Sequence, residues 1–316
     1  MLTACLELPV LEGGSESAPF PVEPDAEAAP DAEFVARNAR EPLRVGAWNV
    51  RRLGSADQST DIPLLASLID RHFDALALVE IMQTQGGGHA GLDELVSALG
   101  PTWAVQVTAS PRPNTKAPFA EFYAVVFRPA RVGPCEEGPP LSYVPDDMTD
   151  DTVSVAGRFL REPAFGCFRA HARGAPGFDF LLGVYHARYG SGSAEDIAQE
   201  VMHLDALLRR VSSIWPKEKD VLLLGDFNLD SEQLARWVSA HDATSGTGST
   251  LNPRGDLSAN LLDHLLLLNP EHIQELIAPA EVLDLRGEAG SSRAYFQLVS
   301  DHLPIRALFQ VESDDD

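Results

Sequence analysis

The stretch Val221-Leu-Leu-Leu-Gly-Asp-Phe-Asn228 decides the fold, because it joins a run of apolar residues directly to polar ones. The apolar run predicts a short buried strand, and Asp226 and Asn228 fall where that strand ends. Other apolar stretches show the same change at one end. Their polar residues are Asn49, Glu80, His186, Asp263 and the pair Asp301-His302.

These polar residues are expected to meet, because strand ends converge along one rim of a sheet. Crowding carboxylates, amides and histidines there costs free energy unless they bind something. Oxygen ligands of this kind suit Mg²⁺, Mn²⁺ or Ca²⁺ and differ from the thiolate-rich sites of structural zinc. Each residue alone is more often a turn, surface or satisfied core residue, so the prediction depends on their joint order.

Strands and helices alternate along residues 41–311, which indicates an α/β domain with buried sheets. One helix is predicted over residues 193–215, because apolar residues recur there on a single face. These residues are Ile197, Val201, Leu204, Leu208, Val211 and Trp215. A second helix is predicted over residues 61–72, with Asp61 as its N-cap and Pro63 in its first turn.

Four motifs occur in a fixed order: Trp48-Asn49-Val50-Arg51, Leu78-Val79-Glu80, Gly225-Asp226-Phe227-Asn228 and Ser300-Asp301-His302. Together they resemble the endonuclease/exonuclease/phosphatase superfamily, over residues 43–311. The resemblance implies an α/β fold, namely a four-layer sandwich of two mixed β-sheets packed face to face with helices on the outside. Segments 120–129 and 159–168, together with a histidine at position 186, are most similar to the deoxyribonuclease I-like branch.

The resemblance implies that water hydrolyses a phosphodiester with the help of Mg²⁺, or alternatively of Mn²⁺ or Ca²⁺. The positions that match metal ligands are Asn49, Glu80 and Asp301. Asp226 and Asn228 match the pair that positions the scissile phosphate and the attacking water, or a second cation.

The proton-transfer and substrate-binding residues are also implied by the resemblance. His302, paired with Asp263, would act as the general base. His186, paired with Glu121, would act as the general acid, although the reverse assignment stays open. Two further positions match substrate contacts. They are Arg161, as a phosphate contact, and Tyr123, which equally fits a strand residue packed on its sheet.

The substrate is less well defined than the catalytic centre. Met82 stands where deoxyribonuclease I-like enzymes commonly place an arginine that enters the minor groove, and Phe119 keeps only the ring of an aromatic groove contact. The expected partner is therefore DNA, cut with little sequence preference, or another phosphodiester of a small molecule or lipid. No stable protein partner is implied. A non-catalytic scaffold is disfavoured because every catalytic position holds its expected residue type.

The net charge of −23 excludes binding of nucleic acid by a broad basic patch. Part of this charge lies at the ends of the chain. Residues 1–40 are acidic and rich in Pro and Ala, so we expect them to be a disordered tether, and residues 312–316 form an acidic tail. The catalytic domain is predicted to span residues 41–311.

Three cysteines exclude a dense disulfide framework, and no apolar run is long enough to span a membrane. Leu2-Thr3-Ala4-Cys5 resembles a bacterial lipobox, which would give Cys5 a lipid anchor. The resulting expectation is a protein of the bacterial cell envelope or a secreted protein, with a cytoplasmic protein as the alternative. Cys135 and Cys167 are then either a disulfide pair or two free buried thiols.

Overall fold

The structure is a computed structural model that describes residues 41–113, 120–144, 158–171, 177–189 and 194–311. The predicted tether, Cys5, Phe119 and the acidic tail lie outside the described residues. The strands are β1 (Leu43–Leu53), β2 (Ala75–Met82), β3 (Ala104–Val107), β4 (Arg112–Pro113), β5 (Ala120–Phe127), β6 (Val132–Pro134), β7 (Ser142–Tyr143), β8 (Ala164–Ala170), β9 (Asp179–His186), β10 (Val221–Asp226), β11 (His241–Asp242), β12 (Thr244–Ser245), β13 (Asp263–Leu267), β14 (Leu276–Val282) and β15 (Ile305–Phe309). The helices are α1 (Ile62–His72), α2 (Ala90–Leu99), α3 (Ala194–Val201), α4 (Leu204–Ile214), α5 (Ser231–Leu234), α6 (Ser292–Leu298) and a 3₁₀ turn, Pro270–His272.

The strands form two mixed sheets. The first has the order β12-β14-β15-β1-β2-β5-β3, with β4 paired to β5. The second has the order β11-β13-β10-β9-β8-β6, with β7 paired to β8. The central pairs β1–β2 and β9–β10 are parallel, whereas β5, β13 and β15 run antiparallel to their neighbours.

Three apolar clusters separate four layers. The central cluster lies between the sheets and includes Val45, Ala77, Val184 and Leu224. A second cluster packs α1, α2 and α6 against the outer face of the first sheet. The third packs α3, α4 and α5 against the outer face of the second sheet. The predicted four-layer sandwich is therefore confirmed.

Of the two helices predicted from the sequence, one begins where it was predicted and the other is divided in two. The side chain of Asp61 accepts a hydrogen bond from the backbone N–H of Leu64, which confirms the predicted cap of α1. The single helix predicted over residues 193–215 is wrong, since α3 ends at Val201 and α4 begins at Leu204. The apolar face nevertheless continues across this break and is buried against the second sheet.

Cys135 and Cys167 form a disulfide that ties the segment after β6 to β8. Of the two alternatives for these cysteines, a disulfide or two free thiols, the structure contains the disulfide. Among the described residues, none of the helices combines the length and apolar character needed to cross a bilayer.

Candidate active site

Three functional side chains lie side by side because of the strand register in the second sheet. Asp226 at the end of β10 is paired with His186 at the end of the parallel strand β9. On its other side, Asp226 is paired with Asp263, the first residue of the antiparallel strand β13. The predicted strand ends therefore do converge in this sheet, and the antiparallel strand β13 contributes its first residue to the rim.

Asn49 and Glu80 bring the first sheet to the same rim. The amide nitrogen of Asn49 donates to Glu80 Oε1 at 3.1 Å and to Asp226 Oδ2 at 3.0 Å, which links the two sheets. Glu80 has a φ of 63° and lies at an irregularity in the pairing of β2 with β5. Such a backbone is costly for a residue other than glycine and is concentrated at functional sites.

Gly225 sets the position of the Asp226–Asn228 turn. Its φ is 146°, and a Cβ atom there would lie 1.8 Å from the carbonyl oxygen of Tyr185, so only glycine fits. The following turn is held by two hydrogen bonds of Asn228. Its backbone N–H donates to Asp226 Oδ1 at 3.0 Å, and its side-chain amide donates to the carbonyl of Ala187 at 3.2 Å.

His302 and Asp263 form the first predicted pair. Nδ1 of His302 lies 2.8 Å from Asp263 Oδ2, and its Nε2 lies 3.6 Å from Asp226 Oδ2. Burial by itself lowers the pKa of His302, but the charges of Asp263 and Asp226 outweigh it, so this pKa lies well above its usual range. The imidazole is therefore oriented by Asp263 and presents Nε2 to the site.

His186 and Glu121 form the second predicted pair. Nδ1 of His186 lies 3.1 Å from Glu121 Oε1 and 3.2 Å from Oε2, and its Nε2 lies 3.8 Å from Asp226 Oδ2. Burial and the charge of Arg161 lower the pKa of His186, while Glu121 and Asp226 raise it to a value above the usual one. Both histidines thus direct Nε2 at the same oxygen of Asp226.

Arg161 does not face the site as a phosphate contact. Its side chain is 1% exposed and makes an ion pair of 2.5 Å with Glu121 Oε1. The guanidinium also donates to the backbone carbonyls of His186, at 2.9 Å, and Ala187. Because the guanidinium is buried and bonded to these groups, it is not accessible to a phosphate. Its contacts instead fix the positions of Glu121 and of the backbone at His186.

Tyr123 is also buried. Its hydroxyl accepts a hydrogen bond from the backbone N–H of His186 at 3.2 Å. Of the two interpretations that the sequence left open, this contact fits the strand residue packed in the sandwich. Tyr123 packs within the sandwich as a strand residue, and it also fixes the backbone that carries the histidine.

The carboxylates of the rim fit a bound cation. Burial raises the pKa of Glu80, and the charges of Glu121 and Asp301 raise it further, so a positive charge there would relieve a real electrostatic cost. Asp301 is 38% exposed and 3.7 Å from Arg51 Nε, so its carboxylate is accessible. Asn49, by contrast, directs its amide nitrogen at the carboxylates while its oxygen accepts from the backbone of Arg51.

A second group of side chains also meets the geometry of a metal site. One ligand atom from each of Asp226, Asp263 and His302 can be chosen so that all three lie within 4.8 Å of one another. Oδ1 of Asp263 is buried and makes no hydrogen bond. This group therefore offers an unused oxygen, in line with the second cation that the resemblance left open at Asp226.

Sequence reasoning missed the residues that hold His302 in place. Its backbone carbonyl accepts hydrogen bonds from Trp48 Nε1 at 3.0 Å and from the Tyr295 hydroxyl at 2.9 Å. The hydroxyl of Ser300 accepts from the His302 N–H and donates to the carbonyl of Asn49. Trp48 and Ser300 belong to the quoted motifs, whereas nothing in the sequence marks Tyr295.

No protein-family model and no curated protein matches the chain. Solved structures do match. The endonuclease/exonuclease/phosphatase from Bacteroides vulgatus is 15% identical, with 86% of this chain and 99% of that chain covered and a TM-score of 0.56. The human Nocturnin catalytic domain with bound sulfate is 18% identical, with 86% and 95% covered and a TM-score of 0.54. TDP2 of D. rerio in complex with a single-strand DNA product is 14% identical, with 85% and 98% covered and a TM-score of 0.51.

These similarities extend over most of each chain, so they concern the whole sandwich rather than one motif. The class of architecture is a two-sheet α/β sandwich with a polar rim at the strand ends. The chain has the fold of these solved structures, and the fold that the motif resemblance implied is thereby confirmed.

Proposed function

We propose that the protein is a divalent-metal-dependent phosphodiesterase that hydrolyses DNA with little sequence preference, as a deoxyribonuclease I-like endonuclease. One observation carries the proposal. His186 and His302, each oriented by its own carboxylate, place their Nε2 atoms 3.8 and 3.6 Å from the same oxygen of Asp226. Two oriented imidazoles around one point suit a reaction that removes one proton and delivers another.

In this proposal, Glu80 and Asp301 hold Mg²⁺, or Mn²⁺ or Ca²⁺, together with Asn49 after its amide has turned. Through a cation held there, these residues would supply polarisation of the phosphate and neutralisation of the charge that builds up in the transition state. Asp226 and the Oδ1 atom of Asp263, which makes no hydrogen bond, would hold a second cation, and Nε2 of His302 stays free to accept a proton.

His302 is assigned as the base toward water and His186 as the acid toward the leaving oxygen. The Asp263 contact fixes the tautomer of His302 with the proton on Nδ1, so Nε2 is the atom that accepts. This role requires a neutral imidazole. It therefore also requires that the charges of Asp226 and Asp301, which raise the pKa of His302, be partly neutralised in the working enzyme.

His186 is better suited to donate. Its pKa is raised by Glu121, and Arg161 keeps Glu121 ionised, because the charges of His186 and Arg161 outweigh the effect of burial on the carboxyl. Asp226 and Asn228 then orient the phosphate and the water between the two imidazoles. These assignments make each variant of a histidine a specific test of one proton transfer.

A second candidate function is hydrolysis of a small-molecule or lipid phosphodiester by the same centre. It is favoured by Met82, which is buried and so offers no side chain to a DNA groove. The acidic net charge of the chain favours it as well, since weak phosphate binding limits affinity for long nucleic acids.

We further propose that the protein is exported or held at the cell envelope. The disulfide between Cys135 and Cys167 supports this location, because disulfides persist in oxidising compartments. The same proposal includes a lipid anchor on Cys5, a tether over residues 1–40, a catalytic domain over residues 41–311 and an acidic tail over residues 312–316. Mass spectrometry of the protein from its native membrane fraction would detect a lipid on Cys5, and an unmodified thiol there would exclude the anchor.

A paired assay tests the two functions. Purified protein with Mg²⁺ or Mn²⁺ is offered plasmid DNA, single-stranded DNA, bis-p-nitrophenyl phosphate and a lipid phosphodiester in parallel. Nicked plasmid that disappears with EDTA supports the endonuclease. Hydrolysis of the small or lipid esters without cleavage of either DNA supports the second function.

The matched variants are His186→Ala, His302→Ala and, as a control, His241→Ala. His241 is an exposed histidine on β11, outside the rim. The first two substitutions are expected to lower the rate by at least about 100-fold, the usual contribution of a positioned acid or base. Equal rates for all three variants would contradict the assignment of the site.

A further inference from the structure

An exposed aromatic residue lies just beyond the candidate acid. Tyr189 is 62% exposed, the largest fraction among the large hydrophobic side chains of the described residues. It follows His186 by three residues, so its Cα atom lies at most about 11 Å from that of the histidine. A tyrosine so close to the rim and so open to solvent is available to a substrate.

The backbone that leads to Tyr189 is firmly held. The N–H of Ala187 donates to the carbonyl of Asp226 at 2.8 Å, and the carbonyl of Ala187 accepts from both Arg161 and Asn228. The N–H of Arg188 donates at 3.1 Å to Glu200, whose carboxylate is buried. The exposed ring is therefore presented by a segment that is tied to the active site.

Two exposed arginines belong to the segments that are bonded to the buried carboxylate of Glu200. The side chain of Arg188 is 46% exposed, with Nε 3.8 Å from Glu200 Oε2. Arg158 is exposed two residues before Leu160, whose N–H donates to the same carboxylate at 2.9 Å. Exposed cations together with an open aromatic ring are the combination that binds the backbone and the bases of single-stranded nucleic acid.

We propose that Tyr189, Arg188 and Arg158 form a binding site for an unpaired DNA strand beside the scissile phosphate, with a base stacked on Tyr189 and phosphates on the arginines. The inference deepens the proposed function and rests on it. It assigns single-stranded DNA as the preferred form, because the bases of a duplex are already stacked on one another and leave no face for the ring.

Binding and catalysis are measured separately. A labelled 12-nucleotide single strand is titrated in EDTA by fluorescence anisotropy with the full chain, Tyr189→Ala, Tyr189→Phe and Ile277→Ala. Ile277, an exposed residue of β14, controls for the loss of an exposed apolar side chain. Hydrolysis of bis-p-nitrophenyl phosphate with Mn²⁺ reports whether each variant keeps an intact centre.

Tyr189→Ala is expected to raise the Kd for the single strand by roughly 5- to 100-fold, the range of one base–aromatic stack. Tyr189→Phe and Ile277→Ala should stay within about twofold of the unsubstituted protein, and all should hydrolyse the small ester at its normal rate. Arg188→Ala should reduce the dependence of log K on log salt concentration by about 0.7, the value for one phosphate contact on a single strand.

Several results would overturn the inference: an unchanged Kd for Tyr189→Ala, an equal loss for Ile277→Ala, or duplex DNA bound as tightly as the single strand. A fall in small-ester hydrolysis that matches the loss of binding would also do so, since it would indicate a structural role. If no phosphodiester is hydrolysed but the binding effects appear, the proposed function fails while the strand site stands. If the small ester is hydrolysed but no strand is bound, only the strand site fails.

Discussion

Replacing Arg161 by glutamine separates its two roles, the phosphate contact implied by the resemblance and the buried support seen in the structure. The substitution removes a cation that is 1% exposed and leaves Glu121, buried beside His186, without its ion pair of 2.5 Å. The carbonyl of His186 also loses a hydrogen bond of 2.9 Å. Breaking a buried pair from one side costs about 3–5 kcal/mol, because the remaining charge is uncompensated.

For a domain of this size, that loss lowers Tm by roughly 6 °C or more. The kcat for bis-p-nitrophenyl phosphate should fall by about 100-fold, because His186 loses the orientation that proton transfer needs. KM should stay within about twofold, since no substrate contact has been removed. Arg161→Lys keeps the charge but loses the planar guanidinium, so its Tm and kcat should lie between those of the unsubstituted protein and those of Arg161→Gln.

Differential scanning calorimetry and steady-state kinetics on the same preparations measure these effects. A KM that rises tenfold or more, with an unchanged Tm, would refute the reasoning. It would mean that Arg161 reaches the substrate and that its side chain is not buried in the protein in solution.

Three further predictions concern the scaffold. Gly225→Ala should destabilise the protein by about 3 kcal/mol or more in urea unfolding, because of left-handed backbone strain and a clash with a backbone carbonyl. Gly287→Ala, with no atom within 4 Å of the added Cβ, should be nearly neutral, and equal effects of the two substitutions would contradict the role of Gly225. Reducing the disulfide, whose cysteines are 32 residues apart, should cost about 4 kcal/mol by the loop-closure relation, and an unchanged Tm in reductant would count against it. Asp74→Asn removes a buried carboxylate that pairs with the partly exposed Arg44 at 2.8 Å, before β2 and away from the rim. Stability should therefore fall by about 1.5–3 kcal/mol while kcat per folded molecule stays the same; a changed kcat would show coupling to the site.

Much of the rim could be predicted from the sequence because its residues share a local pattern. A polar residue directly after an apolar run lies at a strand end whatever the strand order, as Asp226 and His186 illustrate. The two histidine–carboxylate pairs followed only from the superfamily resemblance, since His302 and Asp263 are 39 residues apart. In the structure, the side chains of both pairs are in contact.

Other features depend on contacts that no local pattern records. The sequence gives Arg161 the same charge whether it faces a phosphate or a buried Glu121, and only the packing of the sandwich decides between them. Tyr295 holds the carbonyl of His302 from α6, where its position looks like any other buried aromatic residue. Apolar periodicity predicted the buried face of α3 and α4 but not the break between them, because that face continues across the break.

The central claim is that the carboxylate rim binds a divalent cation and hydrolyses phosphodiesters. The most direct test is the rate of bis-p-nitrophenyl phosphate hydrolysis as a function of Mn²⁺ concentration, measured for the unsubstituted protein and for Glu80→Gln. We predict a rate that saturates with Mn²⁺ and vanishes in EDTA, and a Glu80→Gln variant that needs at least about tenfold more metal or is inactive. Hydrolysis that persists in EDTA, or an identical metal dependence for both proteins, would contradict the claim.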